Sequence, residues 1–502
     1  MFRTLNPNCW VAILSILMLS GCIGTDNATV DGTGTPDVTA CSAIPGVANG
    51  ADFVPQTAIT HGLDGRTHPD LFYIAWAQLD DRTDLRFPAK GYDKVGFEDK
   101  LLVSRRSPEG EYKTWQIWPK LDGNCKDIEK VRIHSFDVAP DGKSLFVSMS
   151  REEINNAKRK LGIYRLDIAS QSITKLSKKN TVDFLNPTYI GNDPSTSNEI
   201  LLVAKTVEDT EIPVNYASRS ILVDEYDRAP TPLIHKMDTQ TGDTTPIGFN
   251  NSHQTEPMAM EGPDGNKIVV FNQWEHQDTT NRFALWKMQI DGSDSFTFYG
   301  QESAADRRSD NLYSPRLIRS GPYKNYVLMG QGARSNHPFV AEGDIVMTHR
   351  AHLDLRSQRI TLQQLVSSGG ADQHITRSPE HYNDESFAYA YRAGSDNSYS
   401  IYVKDFPANL NVALDNTPGK LIIANDNYHF MQPRSFYPPA SVKVAPGNGD
   451  IGESRVSFTN NNLNGRSGFL VQNIGQSDNG VQHQLDNIAP SDLSLQFHIP
   501  SH

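Results

Sequence analysis

The chain has 502 residues, a formal net charge of −12 and four cysteines. A negative charge of this size argues against nucleic-acid binding, because a phosphate-binding surface needs an excess of basic residues. The length would allow about three domains, but propellers and barrels often exceed the usual domain size. Length and composition therefore leave the number of domains open.

The first residues have the features of an export signal. Arg3 leads into the apolar run from Trp10 to Leu19, and Cys22 follows Ser20-Gly21. The run is shorter than the roughly 20 apolar residues of an ordinary membrane span, and it fits residues 1–21 as a signal peptide. The motif resembles the lipobox of bacterial lipoproteins, which implies that diacylglycerol is attached to Cys22. An ordinary signal peptide and an uncleaved anchor are the alternatives.

The residue after the lipidated cysteine bears on localisation. Ile23 stands where lipoproteins retained in the inner membrane tend to have Asp. The resemblance therefore implies an outer-membrane lipoprotein of the cell envelope that faces the periplasm.

Two cysteines, Cys41 and Cys125, remain once Cys9 is removed with the signal and Cys22 is lipidated. In an oxidising compartment they are predicted to form one disulfide, and two free thiols are the alternative. Neither cysteine lies in a CxxCH motif or in a Cys/His zinc spacing. We therefore expect no cofactor and no metal ion bound by this chain.

Composition divides the mature chain into three parts. Residues 22–50 are rich in Gly, Thr, Asp, Ala and Pro and are predicted to be a flexible tether. Residues 51–430 have the alternating pattern of β-strands. Residues 431–502 contain many asparagines and are predicted to be a C-terminal extension, either a small β element or partly disordered.

The stretch 253–300 is the clearest unit of a repeat. It contains four predicted strands separated by Gly-containing turns, which is typical of an antiparallel meander and has the size of one propeller blade.

Two markers carry the repeat along the chain. One is an aromatic residue or His within an apolar and basic strand, and the other is a proline near the start of the unit. A β-sandwich is the competing fold, but its strands would not repeat every 60 residues or so. We predict an all-β fold, a six-bladed β-propeller of four-stranded antiparallel blades with a short C-terminal extension, and seven blades as the alternative count. The strand markers are Tyr164, His235, Trp286 and Tyr402, the prolines are Pro187, Pro257, Pro315 and Pro433, and the predicted blades are 52–119, 131–178, 182–249, 253–300, 311–365 and 373–425.

The repeat resembles known propellers. Its Asp-Gly turn, apolar strand and aromatic–basic strand resemble the TolB-type repeats of periplasmic proteins. Residues 263–276 and 281–300 are similar to the middle, propeller domain of hydrazine synthase alpha-subunit-like proteins, and the likeness extends over about 130–440. The resemblance implies the scaffold. It does not carry over the haem chemistry of that family, because this chain has no CxxCH motif.

No catalytic motif was found, so no catalytic residue is assigned. The chain has no GxSxG, HExxH or Walker sequence. Polar and aromatic residues at the start of the fourth blade, together with a histidine in the fifth, are candidates for ligand binding. In the alternative interpretation Trp274 packs between blades and His276 caps a loop. The candidates are His253, Glu256, Trp274, His276 and His337.

Two functions are compatible with these observations. The first is a lipid-anchored periplasmic β-propeller that acts as a binding or scaffold module for an envelope protein or ligand, without catalysis of its own. In this hypothesis the partner is a periplasmic or envelope protein, and the membrane is contacted through the lipid alone. The alternative is a subunit of a metal- or haem-dependent redox complex related to hydrazine synthase alpha, with the cofactor supplied by another chain.

Overall fold

The computed structural model is an all-β protein whose six blades, each of four antiparallel strands, are arranged as a six-bladed propeller. The predicted fold class and the count of six blades are confirmed. The structure describes residues 42–57, 60–77, 98–151, 161–179, 182–190, 198–206, 231–249, 252–262, 266–277, 280–299, 311–332, 344–349, 360–363, 374–393, 398–408 and 417–437.

Blades two to six each use four strands that follow one another along the chain. The first strand of each is innermost, because the six innermost strands, including the one contributed to blade one, contact one another in a closed ring. Blade two has β7 (Val131–Val138), β8 (Ser144–Arg151), β9 (Gly162–Asp167) and β10 (Ser172–Lys175); blade three has β11 (Val182–Tyr189), β12 (Glu199–Thr206), β13 (Leu233–Asp238) and β14 (Thr244–Pro246); blade four has β15 (Gln254–Glu261), β16 (Lys267–Gln277), β17 (Thr280–Gln289) and β18 (Phe296–Tyr299); blade five has β19 (Asn311–Leu317), β20 (Tyr326–Gly332), β21 (Asp344–His349) and β22 (Ile360–Gln363); blade six has β23 (His374–Asn383), β24 (Ser386–Ala393), β25 (Ser400–Asp405) and β26 (Lys420–Ile423).

Blade one is assembled from both ends of the propeller. Its innermost strand, β27 (Tyr428–Phe436), pairs antiparallel with β4 (Asp70–Ala77). Two further strands, β5 (Lys100–Arg106) and β6 (Tyr112–Trp118), complete the blade. Outside β6, the short β1 (Val47–Asn49) pairs in parallel. The late strand therefore closes the ring, because it joins the last part of the chain to the first blade by backbone hydrogen bonds.

Alternate residues of one strand pack into two different apolar clusters, one on each face of its blade. In β12, Ile200 and Leu202 belong to the same apolar cluster as Phe146 of blade two. Leu201 of the same strand belongs to a second cluster with residues of blade four, including Val269 and Phe271. Successive side chains of a strand point to opposite faces, so a continuous apolar run serves two interfaces between blades. This explains why the middle strands are apolar on both faces.

A small hairpin, called here the seam hairpin, covers the junction of blades one and six. It consists of β2 (Thr60–His61) and β3 (Thr67–His68) with the turn between them. The side-chain amide of Asn383 donates to the carbonyl of Thr67 at 2.9 Å, and Arg66 forms an ion pair with Asp405 at 2.6 Å. A single 3₁₀ turn, Gly50–Asp52, precedes the hairpin.

The first sheet reaches a few residues beyond the predicted propeller bounds of 51–430, through β1 and β27. Cys125 is disulfide-bonded. Its predicted partner Cys41, the predicted signal peptide with Cys22, the tether up to residue 41 and residues 438–502 lie outside the described residues. Within the part of the chain that is described, no helix has the length and hydropathy needed to cross a membrane.

Candidate functional site

Five of the six inner strands carry the same bulge, in which two residues oppose one on the neighbouring strand. In β15, for example, Thr255 pairs with Asn272 and Met258 with Val270, so Glu256 and Pro257 share one partner position. Proline cannot donate to a ladder, which favours a bulge at these sites. The bulged pairs are Asn186-Pro187, Glu256-Pro257, Ser314-Pro315, Ser378-Pro379 and Gln432-Pro433.

The residue before each of these prolines has a left-handed backbone, with φ between 47° and 53°. In β7 the equivalent place is taken by His134-Ser135, where the register also shifts. A bulge bends its strand and turns a side chain away from the ladder direction. Six bulges in a closed ring of strands therefore direct their side chains to one region on the propeller axis.

This region is a polar recess, called here the axial recess. Its empty space is about 300 Å³, which includes open solvent, and all six inner strands line it. The lining residues are Ser135, Phe136, Asn186, Pro187, Thr188, Glu256, Pro257, Ser314, Arg316, Ser378, Gln432 and Arg434.

On one side of the recess, neutral groups and one carboxylate hold neighbouring blades together. Most of these bonds pair one side-chain group with one backbone group of the next blade. Ser314 donates to the Glu256 carboxylate from its backbone N at 2.7 Å and from its hydroxyl at 2.9 Å; the Asn186 backbone N donates to Ser135 Oγ at 2.8 Å; Thr188 Oγ1 donates to the Pro257 carbonyl at 2.8 Å; and Gln432 Nε2 donates to the His134 carbonyl at 3.0 Å.

Two arginines of the recess wall belong to a charged belt of four residues, Asp137, Arg434, Glu380 and Arg316, from blades two, one, six and five. Arg434 Nη1 is 3.9 Å from Glu380 Oε2, and Arg316 Nε is 3.5 Å from the same oxygen. Arg434 Nε is 4.0 Å from Asp137 Oδ1. The side chains are 16% (Asp137), 8% (Arg434), 1% (Glu380) and 13% (Arg316) exposed, so the belt is largely withdrawn from water.

The belt leaves hydrogen-bonding atoms unsatisfied. Among the described residues, Arg316 Nε, Arg434 Nε and Glu380 Oε2 have no hydrogen-bond partner, and neither has Oε1 of Gln432 in the recess wall. Each arginine instead uses an Nη1 group on the carbonyl of its own preceding proline. Buried polar groups are normally paired, so three such atoms in the recess wall, with a fourth on the adjoining Glu380, indicate a place for a bound molecule or ordered water.

Burial shifts the acid–base properties of the belt. Desolvation raises the pKa of Glu380 to about 7, against the opposing effect of Arg319 and Arg316. It also raises the pKa of Asp137, again against Arg316. The neighbouring His381 is buried, and desolvation lowers its pKa to about 3. Near neutral pH the belt therefore contains two guanidinium groups and two carboxyl groups, of which that of Glu380 is close to its protonation midpoint.

The structure brings two of the sequence-predicted residues together. The rings of His253 and Trp274 are 4.8 Å apart, and Trp274 packs with Phe283 and with Tyr313 of the next blade. Glu256 lies in the axial recess, at one of the repeated bulges, and both its oxygens accept hydrogen bonds from Ser314. The side chain of His276 and the whole of His337 lie outside the described residues.

The four belt residues were not found from the sequence. The signal was present in the repeated prolines, because Arg316, Glu380 and Arg434 each follow one of them directly. Pro379 completes the series, 64 residues after Pro315 and 54 residues before Pro433. In the part of the chain that the structure describes, no group of three or more His, Cys, Asp or Glu side chains could hold a metal ion.

Comparison with known proteins shows the fold alone. No protein-family model and no curated protein matches the sequence. Among solved structures, the chain is similar to Kuenenia stuttgartiensis hydrazine synthase, with a TM-score of 0.52 and 11% identity over 81% of this chain and 51% of that chain. The chain thus spans about half the length of that hydrazine synthase chain.

Two further matches have TM-scores below 0.5. One is an oligogalacturonate lyase in complex with manganese, with a TM-score of 0.36 and 12% identity over 70% of this chain and 82% of that chain. The other is the β-propeller domain of the trilobed protease from Pyrococcus furiosus, described as having an open velcro topology, with a TM-score of 0.34 and 10% identity over 70% and 82%. Such low scores give no functional argument. The chain is thus a six-bladed β-propeller with a polar, partly charged axial recess.

Proposed function

We propose that this protein is a binding module of the bacterial cell envelope, which receives an envelope protein or a ligand at the axial recess and has no catalysis of its own. The observation that carries the proposal is the convergence of all six inner strands on one recess whose wall contains unpartnered hydrogen-bonding atoms. Strand bulges of this kind are often found where a protein directs side chains to a ligand.

The propeller supplies a rigid frame for such a site. Each recess residue lies on an inner strand that is held by backbone pairing on one side and by contacts with neighbouring inner strands. Sites built on strands hold their geometry more precisely than sites on loops. A binding role needs only this fixed arrangement of donors and acceptors. It requires neither a nucleophile nor a metal ion.

The membrane anchor belongs to the same proposal. In this hypothesis residues 1–21 are cleaved, Cys22 carries the lipid, and the propeller faces the periplasm from the outer membrane. The support is the lipobox-like sequence before Cys22. Labelled palmitate should be incorporated into the wild-type protein and not into Cys22→Ala. Equal labelling of the two would exclude attachment at this cysteine.

The binding role is tested by cross-linking in the native envelope. Arg316→Gln changes the recess, and Lys178→Gln changes an exposed ion pair with Asp243 elsewhere on the propeller. The melting temperatures of the two variants are first shown to be equal. We then expect Arg316→Gln alone to lose the cross-linked partner, or the ligand seen by native mass spectrometry. Equal recovery from both variants would remove the recess as the binding site.

The alternative, a subunit of a redox complex with a cofactor from another chain, is supported by the fold likeness to hydrazine synthase. At 11% identity this likeness extends to the scaffold and gives no cofactor. An absorption spectrum of the cross-linked complex separates the two functions. A haem Soret band that follows the protein through purification would favour the redox subunit.

A further inference from the structure

We infer that the axial recess binds a small organic carboxylate that also carries a hydroxyl or amino group, held between Arg316 and Arg434. This inference deepens the proposed function and rests on it, since it takes the same recess as the binding site. It names the chemical class of the ligand from the atoms that the recess leaves without partners.

The two arginines indicate that the ligand carries a carboxylate. Both line the recess, both are largely buried, and the Nε group of each has no hydrogen-bond partner among the described residues. Guanidinium groups favour planar anions with two oxygens, and charge-assisted hydrogen bonds of this type are shorter and stronger than neutral ones. The available carboxylate, Glu380, lies 3.5 Å and 3.9 Å from them and forms no hydrogen bond to either.

An acceptor atom in the recess wall indicates that the ligand also carries a donor. Gln432 Oε1 also lacks a partner in the described structure, and an amide oxygen cannot be satisfied by a carboxylate, which has no hydrogen to donate. A hydroxyl or amino group next to the carboxylate would donate to it. The ligand that satisfies the whole set is therefore a hydroxy acid or an amino acid and not a simple anion.

The size of the recess favours a small molecule. Its empty space of about 300 Å³ includes open solvent, and it is enclosed by side chains from all six inner strands. A closed pocket for a drug-sized ligand is usually about 300–1,000 Å³, so a recess whose 300 Å³ includes open solvent has room for a smaller molecule only.

The charge of Glu380 is expected to regulate this binding. Arg316 and Arg319 act on it from blade five, Asp137 from blade two, Arg434 from blade one, and Tyr437 follows the closing strand. A negative Glu380 repels a bound carboxylate, and a protonated Glu380 can donate to it. Because burial raises the pKa of Glu380 to about 7, affinity should fall about tenfold from pH 6 to pH 8 if the protonated form alone binds.

The test is calorimetric titration of the mature protein with glycolate, with acetate as the probe that lacks the hydroxyl and ethylene glycol as the probe that lacks the carboxylate. Glycolate should bind most tightly, acetate more weakly, and ethylene glycol not at all. Arg434→Gln should weaken glycolate binding at least tenfold, and Arg434→Lys, which keeps the charge but lacks Nε, should also weaken it. Glu380→Gln should bind at pH 8 as the wild type does at pH 6.

Three results would overturn the inference: no heat with glycolate at tens of millimolar, equal affinity of Arg434→Gln and wild type, or equal binding of ethylene glycol and glycolate. The first would mean that the unpartnered atoms hold ordered water only. Failure here is distinct from failure of the proposed function. If no glycolate binds but an envelope partner still cross-links in a way that depends on Arg316, the protein remains a binding module. Only the small carboxylate is then excluded as its ligand.

Discussion

Glu256 of blade four accepts two hydrogen bonds from Ser314 of blade five, one from the backbone N at 2.7 Å and one from the hydroxyl at 2.9 Å. The pair joins two neighbouring inner strands at the wall of the recess. Glu256→Ala should lower the free energy of unfolding by about 1–2 kcal/mol, because the buried N–H of Ser314 loses its acceptor. Chemical denaturation of the wild type and Glu256→Ala measures the effect.

Ser314→Ala completes a double-mutant cycle with that variant. Because both changes remove the same hydroxyl–carboxylate bond, their effects should not add, and the coupling free energy should be about 1 kcal/mol. Strict additivity would show that the two groups do not stabilise one another.

The pH dependence of stability should contain a contribution from Glu380. Its pKa is raised from 4.5 to about 7 in the folded protein, so the folded state binds the extra proton between these values. Stability from this group is fully present below pH 4.5 and is lost as the pH rises through 7, by up to about 3 kcal/mol. Glu380→Gln should remove this fall, as measured by urea unfolding at several pH values.

The buried His381 and the partly buried His235 act in the opposite direction and need to be separated from Glu380. Desolvation lowers the pKa of His381 to about 3 and that of His235 to about 4. Each stabilises the fold above pH 6.5 and loses that contribution as the pH falls towards its folded value. The difference between wild type and Glu380→Gln cancels the histidines. A difference that does not change between pH 4.5 and pH 7 would contradict the raised pKa of Glu380.

The seam hairpin offers a comparison of a buried and an exposed contact. Asn383 is buried and makes three hydrogen bonds: to the Thr67 carbonyl, from the backbone N of Glu385 and from the hydroxyl of Ser386. Asn383→Ala should lower stability by about 2–3 kcal/mol. Arg66→Ala, which removes a largely exposed pair with Asp405, should cost less than about 1 kcal/mol.

Differential scanning calorimetry of the two variants checks this order. Limited proteolysis should also cleave the hairpin faster in Asn383→Ala, because the bond to Thr67 holds it on blade six. Equal effects of the two substitutions would mean that the buried amide contributes no more than the surface ion pair.

The turn of blade two contacts the end of the closing strand. Gly142 has φ 63°, and a Cβ there would overlap the ring of Phe436, the last residue of β27. Gly142→Ala should therefore destabilise the propeller by about 2–4 kcal/mol, through the clash and the left-handed backbone together. Thermal unfolding measures the loss.

Gly65 is the matched control. It has φ 74°, and an added Cβ would meet nothing within 4 Å among the described residues. Gly65→Ala should cost only the backbone penalty of about 1–2 kcal/mol. Phe436→Leu should recover part of the loss in Gly142→Ala; no recovery would mean that the ring is not the cause.

The predicted disulfide between Cys41 and Cys125 has a direct test. Mass mapping of non-reduced peptides should recover the two cysteines as one linked pair, because Cys9 and Cys22 are removed or lipidated in the mature chain. Recovery of either residue as a free thiol would refute the pairing.

Much of the fold could be predicted from local patterns. The apolar run around Leu201 indicates a strand buried on both faces, and the prolines at Pro187 and Pro257 mark the start of each unit. These features are local because strand alternation and turn chemistry depend on neighbouring residues. The repeated prolines place Glu256 and Asn186 at the same position of the repeat, but the sequence could not show that this position lines one shared recess, since the two residues share no chemistry.

The sequence by itself determined the all-β class and the six-blade repeat, because strand periodicity and turn residues act locally wherever they occur. Only the tertiary structure decided the charged belt. Arg316, Glu380 and Arg434 come from three different blades, and Arg434 reaches the recess because β27 closes the ring beside β4. Their distances and burial follow from ring closure, which depends on contacts between residues far apart in the chain.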